Sequence, residues 1–176
     1  PGVTAEDNKD GAISVTSNVS ATNPDVNKTG TYYISYSVTD NEGNKSSFRR
    51  TVIVRNKAET LSGTYSITDT CITSTDTIIT GFTDGIIPST TVNNRITFTA
   101  FGRYANVTGK LSADVDFISS SVIIVPATFV CGTTPVSTSF SGGGALSFNQ
   151  DTLWINSVEI TPSDTSNCTY IYVRQP

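Results

Sequence analysis

Residues 30–54 read GTYYISYSVTDNEGNKSSFRRTVIV. Tyr32, Ile34, Tyr36 and Val38 fall on one face of an extended chain, and Tyr33, Ser35, Ser37 and Thr39 fall on the other. That alternation marks a strand with one buried side and one wetted side. Asp40-Asn41-Glu42-Gly43-Asn44 then supplies short polar side chains that bond their own backbone, with a glycine for positive φ. Phe48, Val52 and Val54 share a parity in the return strand. The stretch is expected to be a β-hairpin.

Upstream, Val3–Ala5, Ala12–Thr16 and Asn18–Ala21 are short strand candidates separated by polar turns. Asn23-Pro24-Asp25 reads as a turn, because proline fixes φ while Asn and Asp close local rings. Downstream, Arg55-Asn56-Lys57-Ala58-Glu59 is charged and poor in apolar residues, so it is expected to be a short linker. The boundaries that follow are 1–56 for a first β-domain and 57–176 for a second.

Thr29-Gly30-Thr31-Tyr32-Tyr33-Ile34 resembles the approach to strand F of immunoglobulin domains, where a tyrosine at the position of Tyr32 bonds nearby backbone through its hydroxyl. Ile34 stands where antibody domains carry cysteine, so no disulfide between sheets is implied. More narrowly, residues 1–54 are similar to the immunoglobulin-like domains repeated in bacterial surface proteins. The matching residues are Pro1-Gly2-Val3, Ala5, Asp7-Asn8, Asp10-Gly11, Gly30, Tyr32, Tyr36, Val38-Thr39-Asp40, Gly43-Asn44, Arg50, Val52 and Val54. The resemblance implies a sandwich of about seven strands. About five are legible, so a truncated sandwich is expected, with one or two further strands upstream of Pro1 and a sheet edge left open.

The composition points the same way. Only 15% of the 176 residues are charged, the net charge is −4, and there is no His and no Met. No sustained 3.6-residue period occurs, so the fold class is all-β. The acidic balance argues against nucleic acid, which is bound by Lys and Arg that displace counterions. It argues equally against a polybasic membrane patch. No run of about 18 apolar residues exists to span a bilayer. With no initiating Met and no visible signal peptide, the chain is expected to be part of a longer, processed protein.

From about Leu61 onward, about nine short strand candidates alternate with tight turns. Leu61, Tyr65, Ile67 and Cys71 share a parity, and Arg95–Phe101 alternates on Ile96, Phe98 and Ala100. Gly85–Val92, with Pro88 and several threonines, reads as loop. Ala105–Leu111 reads as strand, and Gly142-Gly143-Gly144 as a flexible break. Leu153 and Ile155 are odd while Val158 and Ile160 are even, so a bulge is expected near Asn156-Ser157. Such a meander is expected to close into an antiparallel barrel or a tight sandwich, which removes open edges.

Three cysteines, Cys71, Cys131 and Cys168, leave an odd thiol. They read either as buried small hydrophobes or as a Cys71–Cys168 disulfide with one thiol over. The second follows from a closed meander, in which the first and last strands are neighbours and antiparallel pairing brings these two level. A metal site lacks the spacing and the His partners. The second half also resembles, more loosely, C-terminal β-domains of Bacteroidetes surface lipoproteins, on Gly63-Thr64-Tyr65-Ser66-Ile67 and on Cys168, Tyr170, Tyr172 and Arg174.

Few residues carry chemistry. Without His, no Ser-His-Asp triad can form. Asp114 and Asp116 share a strand face and could pair as glycosidase carboxylates, or simply be solvated. Glu6–Gly11 has the alternating oxygens of a calcium loop but lacks the closing Glu, with Ser17 in its place. Trp154, Phe101, Tyr104, Tyr170 and Tyr172 could form a platform for sugar rings or fill the core. Trp154 departs in parity from Leu153 and Ile155, so Trp154 and Tyr104 are the candidate ligand contacts. No catalytic residue, cofactor or metal is assigned. The expected role is a non-catalytic part of a cell-surface lipoprotein at the outer membrane. In it, a spacer precedes a module for an extracellular glycan or protein, and the membrane is met only through a lipid anchor outside this chain. The alternative is a small-molecule carrier with its ligand inside the barrel.

Overall fold

The computed structural model describes residues 3–101, 109–131 and 136–176. The chain divides into two compact units: Pro1–Arg55 with Thr91–Asn93, and Asn56–Thr90 with Asn94–Pro176.

The first unit contains β1 (Ala5–Asp7), β2 (Gly11–Ile13), β3 (Thr16–Ser17), β4 (Gly30–Thr39) and β5 (Lys45–Val54). β1 and β2 form an antiparallel pair, and the other three form a sheet ordered β3-β4-β5. β4 and β5 pair along their whole length, from Gly30 opposite Val54 to Thr39 opposite Lys45. The turn between them is built as its residues dictate. Asp40 accepts the Asn44 backbone N–H and side-chain amide, both at 2.7 Å, and Gly43 supplies φ 88°. Those bonds from Asn44 hold the Asp40 carboxyl below its ordinary range. The Tyr32 hydroxyl donates to the Lys28 carbonyl at 3.0 Å. Parity in the hairpin is as the alternation requires, but depth of burial differs. Ile34 is buried, whereas Phe48 is 62% exposed. It lines an open groove of about 150 Å³ with Val3, Val15, Tyr36 and Val38.

The second unit opens with a 3-10 helix, Lys57–Leu61, in place of the expected linker. The Asn56 side chain caps it by accepting from Ala58 N. The Asn56 amide donates to the carbonyls of Ser89 and Arg95, and Ala58 and Leu61 join the core. Two apolar residues spaced to face inward on that short helix outweigh the charge around them.

Nine strands follow: β6 (Gly63–Ile72), β7 (Thr77–Pro88), β8 (Arg95–Phe98), β9 (Ser112–Asp116), β10 (Ser121–Ile124), β11 (Ala127–Cys131), β12 (Val136–Leu146), β13 (Thr152–Ile160) and β14 (Thr165–Arg174). Each pairs antiparallel with its sequence neighbour except that β10 and β11 share a partner. β12 pairs with β11 at Val136–Phe140 and with β10 at Gly143–Ala145. β10 and β11 thus act as one strand bent at Pro126, whose missing N–H suits a break in the ladder. β14 pairs with β6, so eight staves close into a barrel and no stave keeps a fully open edge.

Three further expectations need correction. Gly85–Val92 is not all loop: β7 runs through Ile86, which is buried, to Pro88 at its end. Gly142–Gly144 is not a break but the middle of β12, where the strand is squeezed between two neighbours. A Cβ on Gly144 would collide with the Trp154 carbonyl, and one on Gly143 would lie 2.6 Å from the Val122 carbonyl. There is no bulge at Asn156-Ser157, because β13 and β14 pair without interruption. The odd residues Leu153, Ile155, Ser157 and Glu159 all face inward. The apparent phase change arose because the barrel interior turns polar at that level. Most of the Ala105–Leu111 segment, and Tyr104, lie outside the described residues.

Candidate functional site

Inside the barrel, two zones follow from the register. Where β6 begins, Leu61, Ile86, Ile96, Leu146 and Leu153 are buried, with the buried carboxylate of Asp84 opposite Tyr65. Toward the other end come Asp69, Cys71, Cys168, Ser157, Glu159 and Thr138, also buried. Cys71 and Cys168 stand opposite each other on β6 and β14 and are joined, with S–S 2.04 Å and Cα–Cα 4.0 Å. Cys131 is a buried free thiol, and burial pushes its ionisation up. The one group of three potential metal ligands among the described residues is Asp69, Cys71 and Cys168. Two of its three ligand atoms are used up in the disulfide.

The buried carboxylates serve the interior. Asp84 accepts from Gly85 N, Ala100 N and the Thr99 hydroxyl through one oxygen, at 2.6, 2.7 and 2.7 Å, and from the Tyr172 hydroxyl through the other at 3.1 Å. Asp69 accepts from Thr80 at 3.2 Å, and Tyr170 donates to Glu159. Burial and these neighbouring carboxylates push the phenols of Tyr170 and Tyr172 well up, so both remain neutral donors. Their rings pack with Phe98 and Phe101: the centroids of Phe101 and Tyr170 are 4.7 Å apart, and those of Phe98 and Tyr172 are 5.3 Å apart. At this level the barrel is occupied by its own side chains. Asp69, Asp84 and Glu159 did not stand out in the sequence. The available signal was parity, since each continues the inward phase of its strand.

The proposed sugar platform is therefore split. Phe101, Tyr170 and Tyr172 are buried in the interior, while Trp154 stands on the outer wall, 41% exposed. Trp154 is paired with Ala145 on one side and Ile171 on the other. Two residues on along the same face is Asn156, whose Oδ1 accepts from Thr169 at 3.0 Å. Beside it lies a shallow depression of about 200 Å³ lined by Thr70, Ile72, Asn156, Val158, Asn167 and Thr169, with Ser157 and Cys168 beneath.

The remaining candidates have structural duties. Asp114 is held bidentately by Arg95, at 2.7 and 2.8 Å. Asp116 accepts from Ser119 and Ile118, which hold its carboxyl low. Asp7 accepts from the backbone of Lys9 and Asp10, and Asp10 accepts from Asn41. These are turn-forming bonds.

Fold and surface define an all-β, two-unit molecule, and comparison with known proteins places its first unit. Residues 1–54 match the model for the Ig-like domain of bacterial surface proteins. No curated protein matches the chain. Among solved structures, the lipoprotein BT2262 from Bacteroides thetaiotaomicron is similar over 99% of this chain and 89% of its own, at 15% identity and a TM-score of 0.43.

Proposed function

We propose that this chain is a non-catalytic part of a bacterial cell-surface protein. The immunoglobulin-like unit serves as a spacer, and the barrel presents its wall to an extracellular glycan or protein. The match of residues 1–54 to a bacterial surface-protein domain carries this reading. The Cys71–Cys168 disulfide supports it, because such bonds persist in oxidising surroundings outside the cytoplasm. The lipid anchor belongs to this proposal and would lie outside the chain.

A carrier role would need room in the barrel core that Phe101, Tyr170 and Tyr172 take up at their level. The test of the surface reading is antibody labelling of intact cells that make the full protein, with and without added protease. Labelling of unbroken cells that disappears on protease treatment is the expected result. Labelling only after lysis would overturn the proposal.

A further inference from the structure

The barrel wall formed by β12, β13, β14 and β6 has a continuous uncharged outer surface. Three outward rows cross it in register. One runs Ala145, Trp154, Ile171, Thr68; the next Gly143, Asn156, Thr169, Thr70; the third Ser141, Val158, Asn167, Ile72. None of these positions carries a charge, nor do Thr77, Ile79 and Gly81 alongside on β7.

On the β12 side of the indole, Gly143 and Ala145 leave the wall almost bare. The outward Ile123 of β10, opposite Gly143 and 62% exposed, bounds that floor. With strands about 4.8 Å apart, the trough between Ile123 and Asn156 is about 10 Å across. On the other side, the depression of about 200 Å³ holds Asn156, Asn167, Thr169 and Thr70. The Asn156 side-chain oxygen accepts from Thr169, which leaves its NH2 and one further lone pair to offer. Among the described residues, the Asn167 side chain has no hydrogen-bond partner.

We propose that this face binds a neutral oligosaccharide. Trp154 stacks against the apolar face of a sugar ring, and Asn156, Asn167, Thr169 and Thr70 exchange hydrogen bonds with its hydroxyls. An exposed indole supplies flat, amphipathic contact area. Uncharged amides and hydroxyls pair with hydroxyls at little desolvation cost, whereas a carboxylated or sulfated glycan would find no cation in these three rows. The inference rests on the barrel being an outward-facing module and adds the class of its ligand.

The test is calorimetric titration of the full chain with neutral hexasaccharides of glucose, mannose, galactose and xylose, and with an oligogalacturonate as the charged control. At least one neutral hexasaccharide is expected to bind. Trp154→Ala should weaken it about tenfold or more, and Asn156→Ala should weaken it severalfold. Trp154→Phe should retain part of the affinity, and Ile87→Ala, on β7 outside the face, should leave it unchanged. Circular dichroism of each variant separates lost binding from lost fold. Failure of every neutral hexasaccharide to bind, binding of the charged oligomer alone, or binding indifferent to Trp154→Ala would each overturn the proposal. If cells label at the surface and no neutral sugar binds, the ligand class falls and the surface role stands; if labelling fails, the surface role falls.

Discussion

The Tyr65 hydroxyl donates to the Leu61 carbonyl at 2.9 Å, four residues back, as Tyr32 does to Lys28 in the first unit. Both tyrosines follow Gly-Thr at the start of a ten-residue strand. In the barrel the bond is buried, and it ties β6 to the 3-10 helix that Leu61 ends. Tyr65→Phe should therefore cost about 1–3 kcal/mol, the range for leaving a buried carbonyl unpaired, and urea denaturation would measure it. Tyr32→Phe, at a more exposed bond, should cost about 1 kcal/mol or less.

The Cys71–Cys168 bond closes a span of 97 residues between the first and last staves. Disulfides contribute typically about 2–4 kcal/mol, so the double variant Cys71→Ala/Cys168→Ala should lose stability in that range or slightly above. Thiol titration checks the pairing directly. The native protein should react negligibly, since Cys131 is 2% exposed, and the unreduced, denatured chain should show one thiol. Three thiols there would contradict the bond.

The buried phenols set an alkaline limit. Burial raises Tyr65, and burial with nearby carboxylates raises Tyr170 and Tyr172. In the unfolded chain all three ionise near pH 10. Above that pH the folded state holds more protons than the unfolded one, so stability falls as pH rises. Ultraviolet titration should show Tyr170 and Tyr172 ionising only as the fold is lost, and Tyr65 ionising above its ordinary range. The acid side has the opposite sign. Asp40, Asp116 and Asp151 are held low by turn hydrogen bonds, and the stability they add is lost as pH falls below about 4.

Gly144→Ala tests the close approach of β12 to β13. The added methyl would collide with the Trp154 carbonyl, so β12 must shift from β13. A loss of several kcal/mol is expected, about the upper end for point substitutions. Gly81→Ala, whose Cβ would rest 3.5 Å from the Ile67 carbonyl, should be tolerated. Thermal melts of the two variants compare them.

Where polar and apolar residues alternate, the fold is legible from the sequence. The β4–β5 hairpin and the placement of Ile34 follow from a period of two, and the level positions of Cys71 and Cys168 from a closed antiparallel meander. Legibility fails where the interior is polar. Ser157 and Glu159 keep the inward phase of Leu153 and Ile155, yet Val158 and Ile160 draw the eye to the wrong face. It also fails where glycine is required by close approach rather than by turning, as at Gly143 and Gly144. The outer wall was legible at Trp154 alone. Asn156, Thr169 and Thr70 become its neighbours only through strand register, which no local pattern in the sequence records.

Trp154 is the chain's one tryptophan, so its fluorescence reports on the outer wall without labelling. The most direct measurement is acrylamide quenching of that emission during titration with the neutral hexasaccharides. Emission that shifts with saturating sugar, together with protection from acrylamide, is the predicted result. An indole equally quenched at every sugar concentration would contradict the assignment of this wall as the binding face.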